Sequence, residues 1–237
     1  MKKFCVISLI VTVACQSERN MDGGEASRRS DTASAAITAS TDSAGSRPTV
    51  LFFGTSLTAG FGLDPSQAFP QLVAKKAAAE GLPITAINAG LSGETSAGAL
   101  RRIDWVIKKP VDVVVVETGG NDGLRALDAG QLKSNISGIV KKIRATQPNA
   151  KIVLAVMEAP PNFGVKYTSD FRNAYTSVAK DEGVALMPFL LDGVAGKAEL
   201  NQDDAVHPNL AGEKIVADNV WRAIKPVVAE VSREKLK

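Results

Sequence analysis

The chain has 237 residues, of which 45% are hydrophobic and 22% are charged, so it can bury one substantial core. Its formal net charge is +3, but two of the basic side chains are Lys2 and Lys3, and without them 26 basic side chains face 25 acidic ones. This near-neutral balance, with no clustered basic segment, argues against nucleic acid as a partner.

The first 15 residues are typical of an export signal. The two lysines form a charged start, and residues 4–13 form an apolar run that is much shorter than the roughly 20 residues of a permanent membrane-spanning helix. The segment ends in Thr-Val-Ala-Cys at residues 12–15 and resembles a bacterial lipobox, in which lipid is attached to the cysteine before cleavage. Thr12 departs from the Leu-like residue preferred there, and plain cleavage near Ala14 is the alternative.

Cysteine usage favours the lipidated form. Cys5 and Cys15 are the only cysteines, and Cys5 lies within the export signal, so the domain that follows has no disulfide. We therefore predict that Cys15 carries lipid and that the protein is a lipoprotein of the bacterial cell envelope, facing the periplasm or on the outer membrane. Membrane contact would be made through this anchor alone. A soluble secreted or periplasmic protein is the alternative.

Residues 16–48 are rich in Ser, Ala, Thr, Gly and Arg, and their single large aliphatic residue is Ile37. A segment of this composition cannot bury enough apolar surface to fold. We expect it to be a flexible linker between the leader and a domain that begins at Thr49.

From residue 49 onward, apolar runs alternate with helix-like segments. We expect strands over 50–53, 84–88, 111–116, 151–156 and 184–187, and helices over 67–80, 96–108, 131–145, 169–182 and 210–231. This alternation predicts one α/β domain over 49–237, a three-layer flavodoxin-like sandwich whose five-stranded parallel sheet carries helices on both faces. Ligands in such folds bind at the carboxyl ends of the strands.

Four segments that carry candidate site residues follow predicted strands. Residues 54–57 follow the first strand, 90–93 the second and 119–122 the third, and Asp204 and His207 follow the fifth after a loop. The carboxyl ends of parallel strands meet at one edge of a sheet, so these segments should converge there.

His207 is the only histidine of the chain. A serine hydrolase commonly uses imidazole as its base because imidazole exchanges a proton near neutral pH. Asp204, three residues earlier, could fix the tautomer of the ring and stabilise the imidazolium ion. For His207 in isolation, a surface histidine at a helix start is the alternative.

Together the four segments resemble the SGNH (GDSL-type) hydrolase family, whose blocks carry Ser, Gly, Asn and His, with Asp three residues before the His. The resemblance is strongest to the bacterial thioesterase I, lysophospholipase and arylesterase branch. It implies that Ser56 is the nucleophile, His207 the base and Asp204 the group that orients it. It also implies an oxyanion hole formed by the backbone N–H groups of Ser56 and Gly93 and the side-chain amide of Asn121. No cluster has metal-ligand spacing, and a single histidine with no cysteine in the domain argues against zinc, so we expect neither a metal nor a cofactor.

The sequence around Ser56 is not Gly-x-Ser-x-Gly, so the nucleophile elbow of α/β-hydrolases is not indicated. Thr55 stands where the SGNH signature has Asp, and we expect its hydroxyl to hydrogen-bond locally and activity to survive. Leu124, Met157 and Phe163 are candidates for the lining of an acyl pocket. Glu117 and Glu158, at strand ends, are interpreted as members of structural ion pairs.

The resemblance implies a serine esterase that hydrolyses carboxylic esters or thioesters through an acyl-enzyme, with a small-molecule ester or lipid as substrate. A monomer is the default expectation. A carbohydrate O-acetyl esterase that uses the same residues is the alternative among enzymes. A hydrophobic groove would favour acyl chains and a shallow polar cleft would favour sugars. A flavodoxin-like FMN-binding module and an inactive surface lipoprotein that binds a partner are the alternatives outside enzymes.

Overall fold

The computed structural model describes residues 47–237, which fall within one compact unit. The predicted export signal, the lipidation of Cys15 and nearly all of the linker over 16–48 lie outside the described residues. None of the helices described over 47–237 is both long enough and apolar enough to cross a membrane.

Five strands form one parallel sheet in the order β2-β1-β3-β4-β5. The strands are β1 (Thr49–Gly54), β2 (Thr85–Gly90), β3 (Val113–Val116), β4 (Lys151–Val156) and β5 (Ala185–Phe189). The four consecutive valines of β3 are all buried, as expected for the central strand of a parallel sheet that is covered on both faces. The predicted α/β class and the five-stranded parallel sheet are therefore confirmed.

Seven helices accompany the sheet: α1 (Ser56–Ala59), α2 (Phe69–Ala79), α3 (Ser96–Val106), α4 (Gly120–Leu124), α5 (Ala129–Thr146), α6 (Val165–Glu182) and α7 (Leu210–Lys235) among the residues described. Helix α2 packs against α7, and α5 packs against both α3 and α6. Short 3-10 helices occupy Pro65–Gln67, Pro161–Phe163 and Ala198–Leu200.

The five long helices were predictable from their periodicity, and their ends follow ordinary capping rules. Asp128 caps α5 by accepting a hydrogen bond from Gln131 N at 2.7 Å, and α6 ends at Gly183, whose φ of 58° is left-handed. Helix α7 continues past the predicted end and through Pro226. Apolar side chains on both sides of the proline, such as Ile224 and Val228, remain buried, and this packing holds the helix together where proline removes a backbone donor.

Helices α1 and α4 were not predicted. Each has four or five residues, which is too short for a 3.6-residue repeat to be recognised in the sequence. Both follow the carboxyl ends of central strands, α1 after β1 and α4 after β3. They carry Ser56 and Asn121, so the unpredicted elements are the ones that position two candidate site residues.

Candidate active site

Ser56 is the first residue of α1, directly after β1, and only 8% of its surface is exposed. Its carbonyl oxygen accepts a hydrogen bond from Phe61 N at 3.0 Å, and the carbonyl of Thr55 accepts one from Ala59 N at 3.0 Å. The left-handed Gly60, with φ of 70°, ends the helix. The backbone around Ser56 is thus closed into a tight turn, which fixes the direction in which the side chain leaves the backbone.

His207 lies on the loop that precedes α7 and contacts both Ser56 and Asp204. Its Nε2 atom is 2.9 Å from Ser56 Oγ, and its Nδ1 atom is 2.6 Å from Asp204 Oδ2. A carboxylate can only accept a hydrogen bond, so Nδ1 carries the proton and Nε2 is free to accept one from the serine hydroxyl. The chain therefore brings three residues from two distant segments into one hydrogen-bonded line.

Backbone groups of its own loop hold Asp204 in place. Its Oδ1 atom accepts hydrogen bonds from the backbone N–H groups of Val206 and His207, both at 2.9 Å. The backbone hydrogen bond from His207 is the main cause that lowers the pKa of Asp204 to about 2, with further contributions from the His207 side chain and the Val206 N–H. The carboxylate is consequently ionised over the whole range in which the imidazole is useful as a base.

Gln202 joins this loop to the serine side of the site. Its backbone N–H donates to His207 O at 2.7 Å, and its Nε2 donates to Phe61 O at 2.7 Å and to Pro208 O at 2.9 Å. The Phe61 ring packs on the imidazole of His207 with 4.6 Å between ring centroids. Neither Gln202 nor Phe61 was singled out from the sequence, because neither belongs to a motif and the contact that joins them spans 141 residues.

The two remaining predicted oxyanion-hole residues lie beside the same cavity as Ser56 and His207. Gly93 has φ of 78°, a left-handed conformation that favours glycine. A Cβ atom at this position would meet no other protein atom within 4 Å, so the backbone conformation is the constraint that the protein itself imposes. Asn121, in the first turn of α4, donates from Nδ2 to Glu94 O at 3.0 Å.

The loop that carries Gly93 is held in place by a partly buried ion pair. The Glu94 carboxylate accepts two hydrogen bonds from Arg102, one from Nε at 2.8 Å and one from Nη2 at 2.7 Å. The Arg102 guanidinium in turn lies 4.5 Å from the centroid of the Phe53 ring. This bidentate pair fixes the loop geometry on which the positions of Gly93 and the Glu94 carbonyl depend.

A cavity of about 460 Å³ opens beside Ser56, and its lining is mainly apolar. Leu124 and Met157 both line it, as predicted from the sequence. The prediction for Phe163 was wrong: its ring lies 5.8 Å from that of Tyr167 and does not line the cavity. Further apolar contributions come from Leu57, Phe61, Ala159, Pro160, Pro161, Phe189, Leu191 and Val206.

The two glutamates at strand ends differ from each other. Glu158 forms the predicted ion pair, with Arg172 at 2.7 Å. Glu117 does not: it is buried and accepts its hydrogen bonds from Thr55 and Thr58. Burial raises the pKa of Glu117, and these hydrogen bonds oppose the rise. The hydroxyl of Thr55 does hydrogen-bond nearby, as expected, although its partner is 62 residues away in sequence.

Within residues 47–237, no group of three or more His, Cys, Asp and Glu side chains is arranged to hold a metal ion. The ionisable side chain in contact with Ser56 Oγ is His207, which is paired with Asp204.

The fold and this serine, glycine, asparagine and histidine constellation define an SGNH-type hydrolase. Residues 52–215 match the sequence model of the GDSL-like Lipase/Acylhydrolase family, and the chain belongs to that family of carboxylic ester hydrolases.

Three similar proteins are named as esterases or thioesterases. The chain is 41% identical over 182 residues to Esterase TesA of Pseudomonas aeruginosa, covering 76% of this chain and 89% of the relative. It is 34% identical over 181 residues to Thioesterase 1/protease 1/lysophospholipase L1 of Escherichia coli K12, covering 76% and 85%. The arylesterase of Vibrio mimicus is 32% identical over 172 residues, covering 72% and 85%.

Solved structures agree with this relationship. The crystal structure of TesA matches with a TM-score of 0.72 and 40% identity over 76% of this chain and 99% of the other. A psychrotrophic esterase, EstA from Pseudoalteromonas sp., inhibited by monoethylphosphonate, matches with a TM-score of 0.72 and 36% identity over 76% and 98%. The predicted family, fold and serine esterase activity are therefore confirmed.

Proposed function

We propose that Ser56, His207 and Asp204 carry out ester hydrolysis through an acyl-enzyme. The observation that carries the proposal is the pair of distances at the histidine, 2.9 Å from Nε2 to Ser56 Oγ and 2.6 Å from Nδ1 to Asp204 Oδ2. As Ser56 Oγ bonds to the substrate carbonyl carbon, its proton passes to Nε2 of His207. The ionised Asp204 keeps the ring in this tautomer and stabilises the imidazolium that results.

The negative charge of the tetrahedral intermediate falls on the former carbonyl oxygen. We assign its stabilisation to the backbone N–H groups of Ser56 and Gly93 and to the Asn121 amide, each worth about 3 kcal/mol in the transition state. The intermediate then expels an alcohol or thiol, which takes the proton from His207. Water attacks the acyl-serine with the same histidine as base, which releases the acid and restores Ser56.

The cavity supports acyl chains as the group bound next to Ser56. Its volume of about 460 Å³ and its mainly apolar lining suit a hydrocarbon chain better than a hydrated sugar. We therefore favour carboxylic esters, thioesters and lysophospholipid-like substrates over acetylated glycans.

We also propose that the protein is exported, acts as a monomer and is anchored by lipid on Cys15. The sequence of residues 1–15 supports export and anchoring. An enzyme outside the cytosol would meet extracellular esters and lipids rather than cytosolic acyl-thioesters.

The test is hydrolysis of p-nitrophenyl esters from acetate to palmitate by the purified protein and its Ser56→Ala variant. We expect turnover that Ser56→Ala abolishes, with kcat/KM higher for medium-length acyl chains than for acetate. Folded wild-type protein that hydrolyses no ester in the series would refute the proposal. A strict preference for acetate, together with release of acetate from acetylated glycans, would favour the O-acetyl esterase instead.

A further inference from the structure

A buried carboxyl group lies directly beneath the turn that carries Ser56. Glu117 follows β3 and is 1% exposed, and its own backbone N–H donates to Phe53 O of the neighbouring strand β1 at 2.8 Å. The side chain therefore starts from the centre of the sheet, where the backbone is held by ladders on both sides. It is anchored beside the buried central strand, an element of the kind that opens least readily in folded proteins.

All the hydrogen bonds that the structure shows to the Glu117 carboxylate come from one short segment, residues 54–59, which we call the nucleophile turn. Thr55 donates to it from its backbone N at 2.7 Å and from its Oγ1 at 2.9 Å, and Thr58 donates from its Oγ1 at 2.9 Å. These donors flank Ser56 on both sides. A carboxylate that accepts from both flanks fixes the turn in two directions, which backbone hydrogen bonds within the turn cannot do alone.

Gly54 is part of the same arrangement. A Cβ atom on Gly54 would overlap the Thr58 hydroxyl and one carboxylate oxygen of Glu117. The glycine thus gives the side chains of Thr58 and Glu117 the space in which they meet. A larger residue at position 54 would therefore disrupt the hydrogen bond between Thr58 and Glu117.

We propose that Glu117 is a positioning residue of the esterase, which holds the nucleophile turn so that Ser56 Oγ stays within hydrogen-bond distance of His207. The inference rests on the proposed role of Ser56 as nucleophile. It also gives Thr55 a function, because a hydroxyl donates to Glu117 where the ionised Asp of the family signature could only accept. In this chain the carboxyl group that organises the turn comes from the residue after β3 rather than from the turn itself.

The experiment compares Glu117→Gln with Glu213→Gln in the full chain. Glu213 is also buried, 2% exposed, but it accepts a hydrogen bond from Phe69 N, outside the nucleophile turn. The readouts are kcat and KM on a p-nitrophenyl ester, the rate at which an organophosphonate labels Ser56, and the final number of labels per chain. A loss of folded protein lowers the final number, whereas a misplaced serine lowers the rate.

We expect Glu117→Gln to lower kcat and the labelling rate about 100-fold, since a misplacement of about 1 Å can have this effect, with KM within about threefold and one label per chain at completion. Glu213→Gln should leave both rates within about twofold. Wild-type rates in Glu117→Gln, or an equal loss of rate in Glu213→Gln, would overturn the proposal. Labelling of Ser56 in the wild type tests the proposed nucleophile separately.

A second pair of variants tests the positioning role of Glu117 if Glu117→Gln does not fold. Thr55→Val keeps the shape of the side chain and the backbone N–H but removes the hydroxyl donor, and Thr55→Ser retains the donor. We expect a rate loss of about tenfold for Thr55→Val and recovery to near wild-type rates for Thr55→Ser. Equal rates in the two variants would overturn the proposal.

Discussion

The two halves of the active site are held in different ways. On the serine side, the nucleophile turn is buried and is tied to Glu117, 62 residues away in sequence, by hydrogen bonds inside the core. On the histidine side, Asp204 is partly exposed and is held by backbone groups two and three residues further along the same loop. One half depends on the folded sheet, whereas the other is largely a local structure.

This contrast suggests a division of labour. The nucleophile must occupy one position relative to the oxyanion hole, and a core-anchored turn provides that constancy. The base has to accept and return a proton, and a loop fastened by Gln202 allows it to stay close to Ser56 while remaining open to the cavity. Variants in each half should therefore fail in different ways.

Among variants that leave Ser56 in place, the largest effect is expected on the histidine side. Asp204→Asn should lower kcat about 10³- to 10⁴-fold, because an amide can donate to Nδ1 and so favour the wrong imidazole tautomer. Stability should change little, since the group is exposed and its hydrogen bonds are local. Steady-state kinetics and thermal unfolding check both statements. Asp203→Asn is the matched control, and a comparable loss of activity there would show that the two carboxylates share the role.

The next largest effect is expected at the oxyanion hole, which belongs to neither the serine side nor the histidine side. Asn121→Ala should lower kcat about 10²- to 10³-fold with KM nearly unchanged, because the amide acts on the charge that develops in the transition state. Asn173→Ala, an exposed change on α6, should leave kinetics unaltered. An increase in KM with unchanged kcat would assign Asn121 to substrate binding instead.

A third prediction concerns the cavity beside Ser56 and tests whether it binds the acyl chain of the substrate. Leu124→Trp should fill the cavity and lower kcat/KM for long-chain esters about tenfold or more, while acetate hydrolysis stays within about twofold. Phe163→Trp should leave the chain-length profile unchanged because Phe163 lies outside the cavity lining. Equal effects of the two variants on every ester would contradict the assignment of the acyl chain to this cavity.

The last effect concerns stability rather than rate. Burial raises the pKa of Glu213 to about 8 from an ordinary value of 4.5, so the folded state binds the proton more tightly than the unfolded state. The stabilisation is full below pH 4.5 and is lost as the pH rises towards 8, at up to about 1.4 kcal/mol per pH unit. Urea unfolding of Glu213→Gln between pH 5 and 8 should show a flatter dependence than the wild type.

A control for this slope is Glu230→Gln. Its hydrogen bond with Lys151 lowers the pKa of Glu230, which keeps this carboxylate ionised throughout the same pH range. The variant should therefore retain the wild-type pH dependence of the free energy of unfolding. A flattened slope in Glu230→Gln, or an unchanged slope in Glu213→Gln, would contradict the assignment to Glu213.

The difference between the two halves also explains what could be predicted from sequence. The Asp204–His207 pair is separated by three residues, so its contact is visible in the sequence itself. The alternation of apolar runs and helical periodicity predicted the sheet and the long helices, and the segments after the strands predicted that Ser56, Gly93 and Asn121 would meet at its edge.

Contacts between segments far apart in the chain were beyond such reasoning. Glu117, at a strand end, was interpreted as part of an ion pair, yet its partners are hydroxyl and backbone donors. Phe163 was assigned to the cavity from its neighbourhood in sequence, but the direction of a side chain on a short 3-10 helix is set by tertiary packing. Phe61 and Gln202 carry no motif at all.

The most direct test of the account is to identify the atom that attacks the substrate. The protein is treated with an organophosphonate until activity is lost, digested, and analysed by mass spectrometry. We predict one phosphonyl group per chain, located on Ser56, with the extent of labelling equal to the loss of esterase activity. Labelling of another residue in its place, or loss of activity with Ser56 unlabelled, would contradict the account.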